Sequence, residues 1–164
     1  MQENVSFNKA YVPWLYKKLS QNDHSIKITI VKYTYIYFIV IILVAFIIAV
    51  STPWFLSYFV GAKFIDAYRY TTWILLGFAF SGMYYMVVNY IFYANKTHIL
   101  AAITILTAII NIMLNYVLIK FNGAVGAAQA TAIALLISFV LTWVLSAKVY
   151  PMPWNYFYAN VRNN

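Results

Sequence analysis

Two amide side chains lie in an otherwise apolar stretch in the second half of the chain. Residues 107–131 read TAIINIMLNYVLIKFNGAVGAAQAT, and Asn111 and Asn115 are four positions apart within it. In an α-helix this spacing places both side chains on one face, which Thr104 and Ala108 extend. Because burying an amide without a hydrogen-bond partner is costly, these residues predict hydrogen bonding to a neighbouring helix or to a polar molecule.

Two further stripes of small or weakly polar residues recur at helical spacing. One comprises Ser81, Gly82, Tyr85 and Asn89, and the other comprises Ala127, Thr131, Ala134 and Ser138. In lipid, small side chains allow helices to approach closely, and polar side chains hydrogen-bond between helices. The stripes are therefore either helix-packing seams or the lining of a polar cavity, and spacing alone leaves both interpretations open. Turn formation or close packing is expected at Gly123, Gly126, Ala127 and Ala128.

Residue types suited to acid–base, nucleophilic or metal chemistry are scarce in the sequence. The only carboxylates are Glu3, Asp23 and Asp66, and the chain has no cysteine and only two histidines. No two carboxylates are placed to act as an acid–base pair in a span. We therefore expect a protein that is not an enzyme, with no cofactor and no bound metal. Lys32 lies at the start of an apolar run, where it either snorkels to the headgroups or contacts an anionic headgroup.

The amino-acid composition indicates that these stripes lie on membrane-spanning helices. Of the 164 residues, 65% are hydrophobic and 9% are charged, whereas about a quarter of a soluble domain is charged. Apolar runs long enough to cross a bilayer predict four spans at about 28–52, 70–94, 99–119 and 125–149. We expect an all-α integral membrane protein, with Pro53 ending the first span and a short loop making spans two and three an antiparallel hairpin. The net charge of +8 is attributed to loops and tails rather than to nucleic-acid binding.

The ends of the chain are predicted to lie on the cytoplasmic side. Residues 1–27 form a leader in which Tyr11, Leu15 and Leu19 share a helical face suited to a headgroup surface, with Pro13 in the first turn; residues 151–164 form a tail. Lys and Arg are more numerous on the side of the termini, which predicts that this side is cytoplasmic. That side carries Lys9, Lys17, Lys18, Lys27, Lys32, Lys96, Lys148 and Arg162, against Lys63, Arg69 and Lys120 on the other.

The last two spans resemble the carboxy-terminal signature of Wzx-type polysaccharide flippases, in the multidrug/oligosaccharidyl-lipid/polysaccharide exporter superfamily. The stretches NKAYVPWLYKKLS, YIFYANKTHILAAITILTAIIN and VYPMPW resemble other parts of the same family. The resemblance covers nearly the whole chain. The matching positions in the signature are Asn111, Asn115, Tyr116, Ile119, Gly123, Gly126, Ala127, Ala128 and Thr131.

This resemblance implies a transporter of two lobes and at least twelve spans. Such a protein moves undecaprenyl-diphosphate-linked oligosaccharide across the bacterial inner membrane by alternating access, with a polysaccharide polymerase and export machinery as partners. The four spans would be the last four of the second lobe. We therefore expect a fragment that lacks the amino-terminal spans and does not transport alone. The alternatives are a small four-span protein acting by helix–helix assembly with a partner, and a drug exporter of the same superfamily.

Overall fold

The computed structural model describes residues 2–59 and 67–155, with side chains described in 11–58 and 67–155. In this part of the chain all regular structure is helical: α1 (Gln2–Ser20), α2 (His24–Phe59), α3 (Tyr68–Tyr93), α4 (Thr97–Asn122) and α5 (Ala124–Val149). The last four helices are long and apolar enough to cross a membrane. The predicted all-α membrane class with four spanning helices is therefore confirmed.

The expectation that the first helix ends at Pro53 is wrong. Pro53 lies inside α2, which continues to Phe59. A proline removes one backbone hydrogen-bond donor from a helix. In lipid, unwinding the helix would leave many more backbone groups without partners, because no water is present to bind them. A membrane helix therefore tolerates the loss of one hydrogen bond and continues past the proline. Pro13 likewise lies in the interior of α1 rather than in its first turn. The chain is thus helical up to Phe59, and 60–66 lie outside the described residues.

The spanning helices pack in the order α2, α3, α5, α4, so α5 lies between α3 and α4. The predicted hairpin of spans two and three is consequently open: α3 and α4 meet beside their connecting turn, where Val88 and Ile91 pack with Leu100 and Ile103. Small residues allow α5 to take the central position. Ala130, Ala132 and Ala134 are buried, and the Cα of Ala132 lies 3.6 Å from where a Cβ on Gly77 would be.

The helix α1 packs on the bundle rather than only on a headgroup surface. Leu15 and Leu19 are fully buried in a cluster that includes Val31 of α2, Tyr90 of α3 and Met152 beyond α5. The face predicted from the leader sequence is therefore the face that contacts the protein. We call this end of the bundle the α1 end.

Aromatic side chains connect the helices at the α1 end. Tyr35 and Phe38 of α2 contact Trp143 of α5 at 6.0 and 5.7 Å between ring centroids. Trp154, which follows α5, packs edge-on against Trp143 at 5.6 Å and against Tyr90 at 5.9 Å. Edge-to-face pairs of this kind add stability beyond burial of their area. Residues 151–155 thus belong to the packed structure, and the exact boundaries of leader, membrane domain and tail stay predictions.

Candidate functional site

The turn between α4 and α5 sets the register of these two helices. Gly123 joins them with φ +60° and ψ −142°, a conformation that L side chains rarely adopt. At Gly126 a Cβ would collide with the backbone carbonyl of Leu118, so the absence of a side chain lets α5 start close against α4. Across the turn, the Asn122 side-chain amide donates a hydrogen bond of 2.6 Å to Oε1 of Gln129.

A groove of about 470 Å³ runs between α4 and α5 beyond this turn. Of the three stripes predicted from the sequence, those on α4 and α5 contribute to it, which brings together the candidates Thr104, Asn111, Thr131 and Ser138. The α4 wall is formed by Thr104, Thr107, Ala108, Asn111 and Ile112, and the α5 wall by Thr131, Ala134, Leu135 and Ser138. The groove therefore has polar side chains on both walls and no charged one.

The threonine hydroxyls of the groove use their hydrogens on their own helices. Thr104 donates to the Leu100 carbonyl at 2.8 Å, Thr107 to that of Ile103 at 2.8 Å and Thr131 to that of Ala127 at 3.0 Å. Each hydroxyl oxygen keeps lone pairs that can accept a hydrogen bond. The groove can thus accept hydrogen bonds from a neutral polar group such as water or a sugar hydroxyl.

Asn111 and Asn115 interact with each other along α4. The Asn115 amide donates to Oδ1 of Asn111 at 2.5 Å and to the Asn111 backbone carbonyl at 2.9 Å. Asn111 lines the groove, whereas Asn115 is half-buried outside its lining. Asn115 therefore holds the Asn111 amide in place, and the side-chain N–H groups of Asn111 are donors that a ligand in the groove can use.

The other predicted site residues lie apart from this groove. Ser81, Tyr85 and Asn89 are on α3, which α5 separates from α4; Asn89 is buried and donates to the Tyr85 carbonyl at 2.9 Å. Lys32 is exposed on α2. Ala127 and Ala128 line a second, more apolar groove of about 330 Å³ between α3 and α5, and Thr131 and Leu135 line both grooves.

Sequence reasoning missed Thr107, Ile112 and Leu135 in the groove and Gln129 beside the turn. Thr107 is three residues after Thr104 and four before Asn111, so the helical spacing already contained the signal for it. Leu135 is apolar and carried no signal for a polar groove. Gln129 could be placed only with the turn geometry known, since its partner Asn122 is seven residues away.

No acidic, basic or histidine side chain lines the groove. Within residues 11–58 and 67–155, where side chains are described, no three His, Cys, Asp or Glu side chains come together to hold a metal ion. What the described helices provide is a neutral, hydrogen-bonding groove inside segments that can span a membrane.

Comparison with known proteins identifies the family. The sequence profile described as "Lipid II flippase MurJ" matches residues 4–160. A Haemophilus influenzae protein described as "Uncharacterized membrane protein" is 26% identical over 106 residues, which are 65% of this chain and 26% of that protein. The chain thus spans about a quarter of the length of this relative. No solved structure matches the chain significantly.

The match agrees with the sequence resemblance in part. It names a flippase of a lipid-linked cargo, as the resemblance implied, but it names lipid II rather than O-antigen oligosaccharide. Flippases are transporters, which agrees with the expectation of a protein that is not an enzyme. Since the matched region takes in nearly the whole sequence, this multi-pass membrane protein belongs to the lipid II flippase MurJ family.

Proposed function

We propose that this chain is part of a flippase that moves an undecaprenyl-diphosphate-linked saccharide across the bacterial inner membrane by alternating access. The observation that carries the proposal is the family match over residues 4–160. The groove between α4 and α5 supports it, because neutral hydrogen-bonding side chains inside spanning helices suit a transporter better than a catalyst. Both termini are proposed to face the cytoplasm, as the distribution of Lys and Arg predicts.

The cargo proposed here is defined by its chemistry. Lipid II and lipid-linked oligosaccharides of the O-antigen type both carry a saccharide on a polyprenyl diphosphate. We assign the chain to this class and keep the identity of the sugar open to experiment. Within the site, Asn111, Thr104, Thr131 and Ser138 are proposed to meet polar groups that enter the groove during transport. Ser81, Tyr85 and Asn89 are proposed to stabilise the packing of α3.

We further propose that the chain transports only together with additional membrane spans. A diphosphate needs cations to leave water, and the described cations of this chain lie at the ends of its spans or outside them. On α4, residues such as Ile105 and Met113 are 63% and 65% exposed, so this helix presents a broad apolar surface. Additional spans would pack on that surface and supply the cationic part of the cavity.

The test is a flipping assay in proteoliposomes with a fluorescent undecaprenyl-diphosphate disaccharide and an impermeant quencher. The preparation is the chain with every membrane protein that copurifies from its source under mild detergent. We expect rapid quenching of both leaflets, slowed by Asn111→Leu but not by the control Met113→Leu, which keeps an apolar side chain outside the groove lining. Equal rates in loaded and empty vesicles would contradict the proposed function.

Two further measurements separate the remaining alternatives. The purified chain alone should flip no faster than empty vesicles, and a faster rate would contradict the need for further spans. If the native preparation instead extrudes a cationic dye and leaves the lipid-linked sugar in place, the drug exporter is favoured. A preparation that moves neither compound but contains a stoichiometric partner favours the assembly alternative.

A further inference from the structure

Three tyrosines join separate elements of the chain at the α1 end. Tyr16 of α1 contacts Tyr93 of α3 at 5.2 Å between ring centroids, and Tyr93 contacts Tyr150, just after α5, at 5.4 Å. Tyrosine prefers the membrane interface because its ring is apolar and its hydroxyl is polar. The three rings therefore mark a depth at which this end of the bundle meets the headgroups.

Lysines from several elements lie near these tyrosines in the sequence or at the same end of the bundle. Lys17 and Lys18 follow Tyr16 directly, Lys96 is three residues after Tyr93, and Lys148 is two residues before Tyr150. Lys32 projects from the first half of α2. Four of these five side chains are exposed, and that of Lys18 is half-buried. We call Lys17, Lys18, Lys32, Lys96 and Lys148 the lysine rim.

Little negative charge opposes the lysine rim. The acidic residue described at this end is Asp23, and its carboxylate accepts a hydrogen bond from the Ser25 amide at 2.8 Å at the start of α2. Lys27 is already engaged: its ammonium donates to Oδ1 of Asn22 at 2.7 Å and lies 5.2 Å from the Tyr150 ring centre. Among the residues whose side chains are described, none forms an ion pair with the rim. Its charges are therefore available to an external anion.

The outward face of α1 also carries residues suited to a membrane surface. Leu15 and Leu19 hold the helix on the bundle, while Trp14 on the opposite side is 45% exposed and Lys17 is exposed next to it along the helix surface. An exposed tryptophan beside a lysine is typical of a helix at the membrane interface, where the ring enters the headgroup layer and the ammonium meets phosphate. The side of α1 that does not touch protein is thus suited to a lipid surface.

We propose that the lysine rim and Trp14 bind the headgroups of anionic phospholipids in the leaflet at the α1 end. The ammonium groups pair with lipid phosphates, and Trp14 and the three tyrosines fix the depth at which they do so. This binding is separate from transport of the cargo, so it stands or fails independently of the proposed function. Its partner is a structural lipid of the surrounding bilayer.

The experiment measures lipid selectivity of the full chain in phosphatidylcholine vesicles. Spin-labelled phosphatidylglycerol and spin-labelled phosphatidylcholine are compared by the fraction of each lipid that electron paramagnetic resonance reports as motionally restricted. We expect phosphatidylglycerol to be preferred at low salt and the preference to fall at high salt. Replacing both Lys17 and Lys18 by Gln should lower the preference by about fivefold for each lysine that contacts a headgroup.

Matched variants make this result specific. Arg69→Gln with Lys120→Gln removes the same amount of charge from exposed positions at the other end and should leave the preference of the α1 end intact. Lys17→Arg with Lys18→Arg should retain the preference, which separates charge from a folding defect. The proposal is overturned if the Gln pair at the α1 end has no effect, or if the control pair lowers the preference equally.

A second readout tests the position of α1 directly. The chain has no cysteine, so Trp14→Cys can carry one environment-sensitive fluorophore. We expect its emission to shift to the blue when phosphatidylglycerol is added to phosphatidylcholine vesicles, and the shift to reverse with salt. Emission typical of water in anionic vesicles would overturn the proposal and leave this face of α1 to a protein partner.

Discussion

The Tyr35 hydroxyl donates a hydrogen bond of 3.2 Å to the backbone carbonyl of Trp154, which lies 119 residues further along the chain. The same two residues are in edge-to-face contact, with ring centroids 6.1 Å apart. Through this pair the segment that follows α5 is fixed to the first spanning helix. The segment Pro151–Trp154 therefore closes the α1 end of the bundle.

Trp154→Ala should destabilise the protein by roughly 2–4 kcal/mol, since removing a large, half-buried aromatic side chain from a packed cluster leaves a cavity. The ring loses its contacts with Tyr35, Tyr90 and Trp143. Thermal unfolding in detergent, followed by circular dichroism, measures the effect. Trp54→Ala is the matched control, because Trp54 is 84% exposed near the far end of α2. Equal loss in the two variants would contradict the packing described for Trp154.

Replacing individual glycines by alanine should show where a helix backbone packs too closely to accept a methyl group and where a neighbouring side chain can move to admit one. In Gly126→Ala the new Cβ meets the Leu118 carbonyl, whereas in Gly77→Ala it meets the end of the Leu135 side chain at 3.2 Å. A side chain can move aside and a helix backbone cannot without shifting α4 from α5. We expect Gly126→Ala to lower the unfolding midpoint in detergent clearly and Gly77→Ala to change it little. The reverse ranking would show that the α4–α5 turn is looser than described.

Cysteine labelling should distinguish the groove from the outer apolar surface of α4. Asn111 lines the groove, whereas Met113 is 65% exposed on the apolar surface of the helix. Maleimides react with the thiolate, which forms only where water reaches. In the intact transporter, Asn111→Cys should react with a water-soluble maleimide and Met113→Cys should not. If Asn111→Cys never reacts, the groove is a dry packing seam and its proposed contact with polar cargo groups fails.

Tyr11 should titrate at unusually high pH if α1 is docked as described. Burial raises the pKa of this phenol from 10.0 to about 12. Since the folded pKa lies above the unfolded one, the neutral phenol contributes its full stability below pH 10, and this contribution is lost as the pH rises towards 12. The absorbance of the wild type minus that of Tyr11→Phe at the tyrosinate band gives the titration of this side chain. A midpoint near 10 in the folded protein would mean that α1 is undocked. The wild-type minus Tyr11→Phe absorbance, measured again in denaturant, gives the midpoint of the unfolded chain for comparison.

The sequence predicted some features of this protein well because they depend on local chemistry. Four apolar runs of spanning length predicted four helices, and the spacing of Thr104, Asn111 and Thr131 predicted stripes that lie in one groove. Whether that groove acts in transport stays a prediction. Pro53 was expected to end the helix because proline commonly does so in water-soluble proteins. In a membrane the chain stays helical past a proline, because lipid provides no water to hydrogen-bond an unfolded backbone.

Other features depend on relations between distant segments and have no local signature. The helix α5 lies in the centre because its small residues pack against both α3 and α4. This fit involves three separate segments, so it cannot be recognised from any one of them. Leu15 and Leu19 formed a recognisable apolar face, but their partners Val31, Tyr90 and Met152 are spread over three elements. An apolar face at the edge of a membrane fits lipid and protein equally well by pattern alone, and only the packed structure decides between them.

The length of α2 has a mechanical consequence. Its 36 residues make a rod about 54 Å long, while the hydrocarbon layer is about 30 Å thick. Ile30 and Val31 hold the first part of the rod at the α1 end, so the surplus length lies beyond the other leaflet or is absorbed by inclination. A thicker bilayer would bring α2 upright and a thinner one would incline it. Bilayer thickness is therefore a variable that acts on this helix directly.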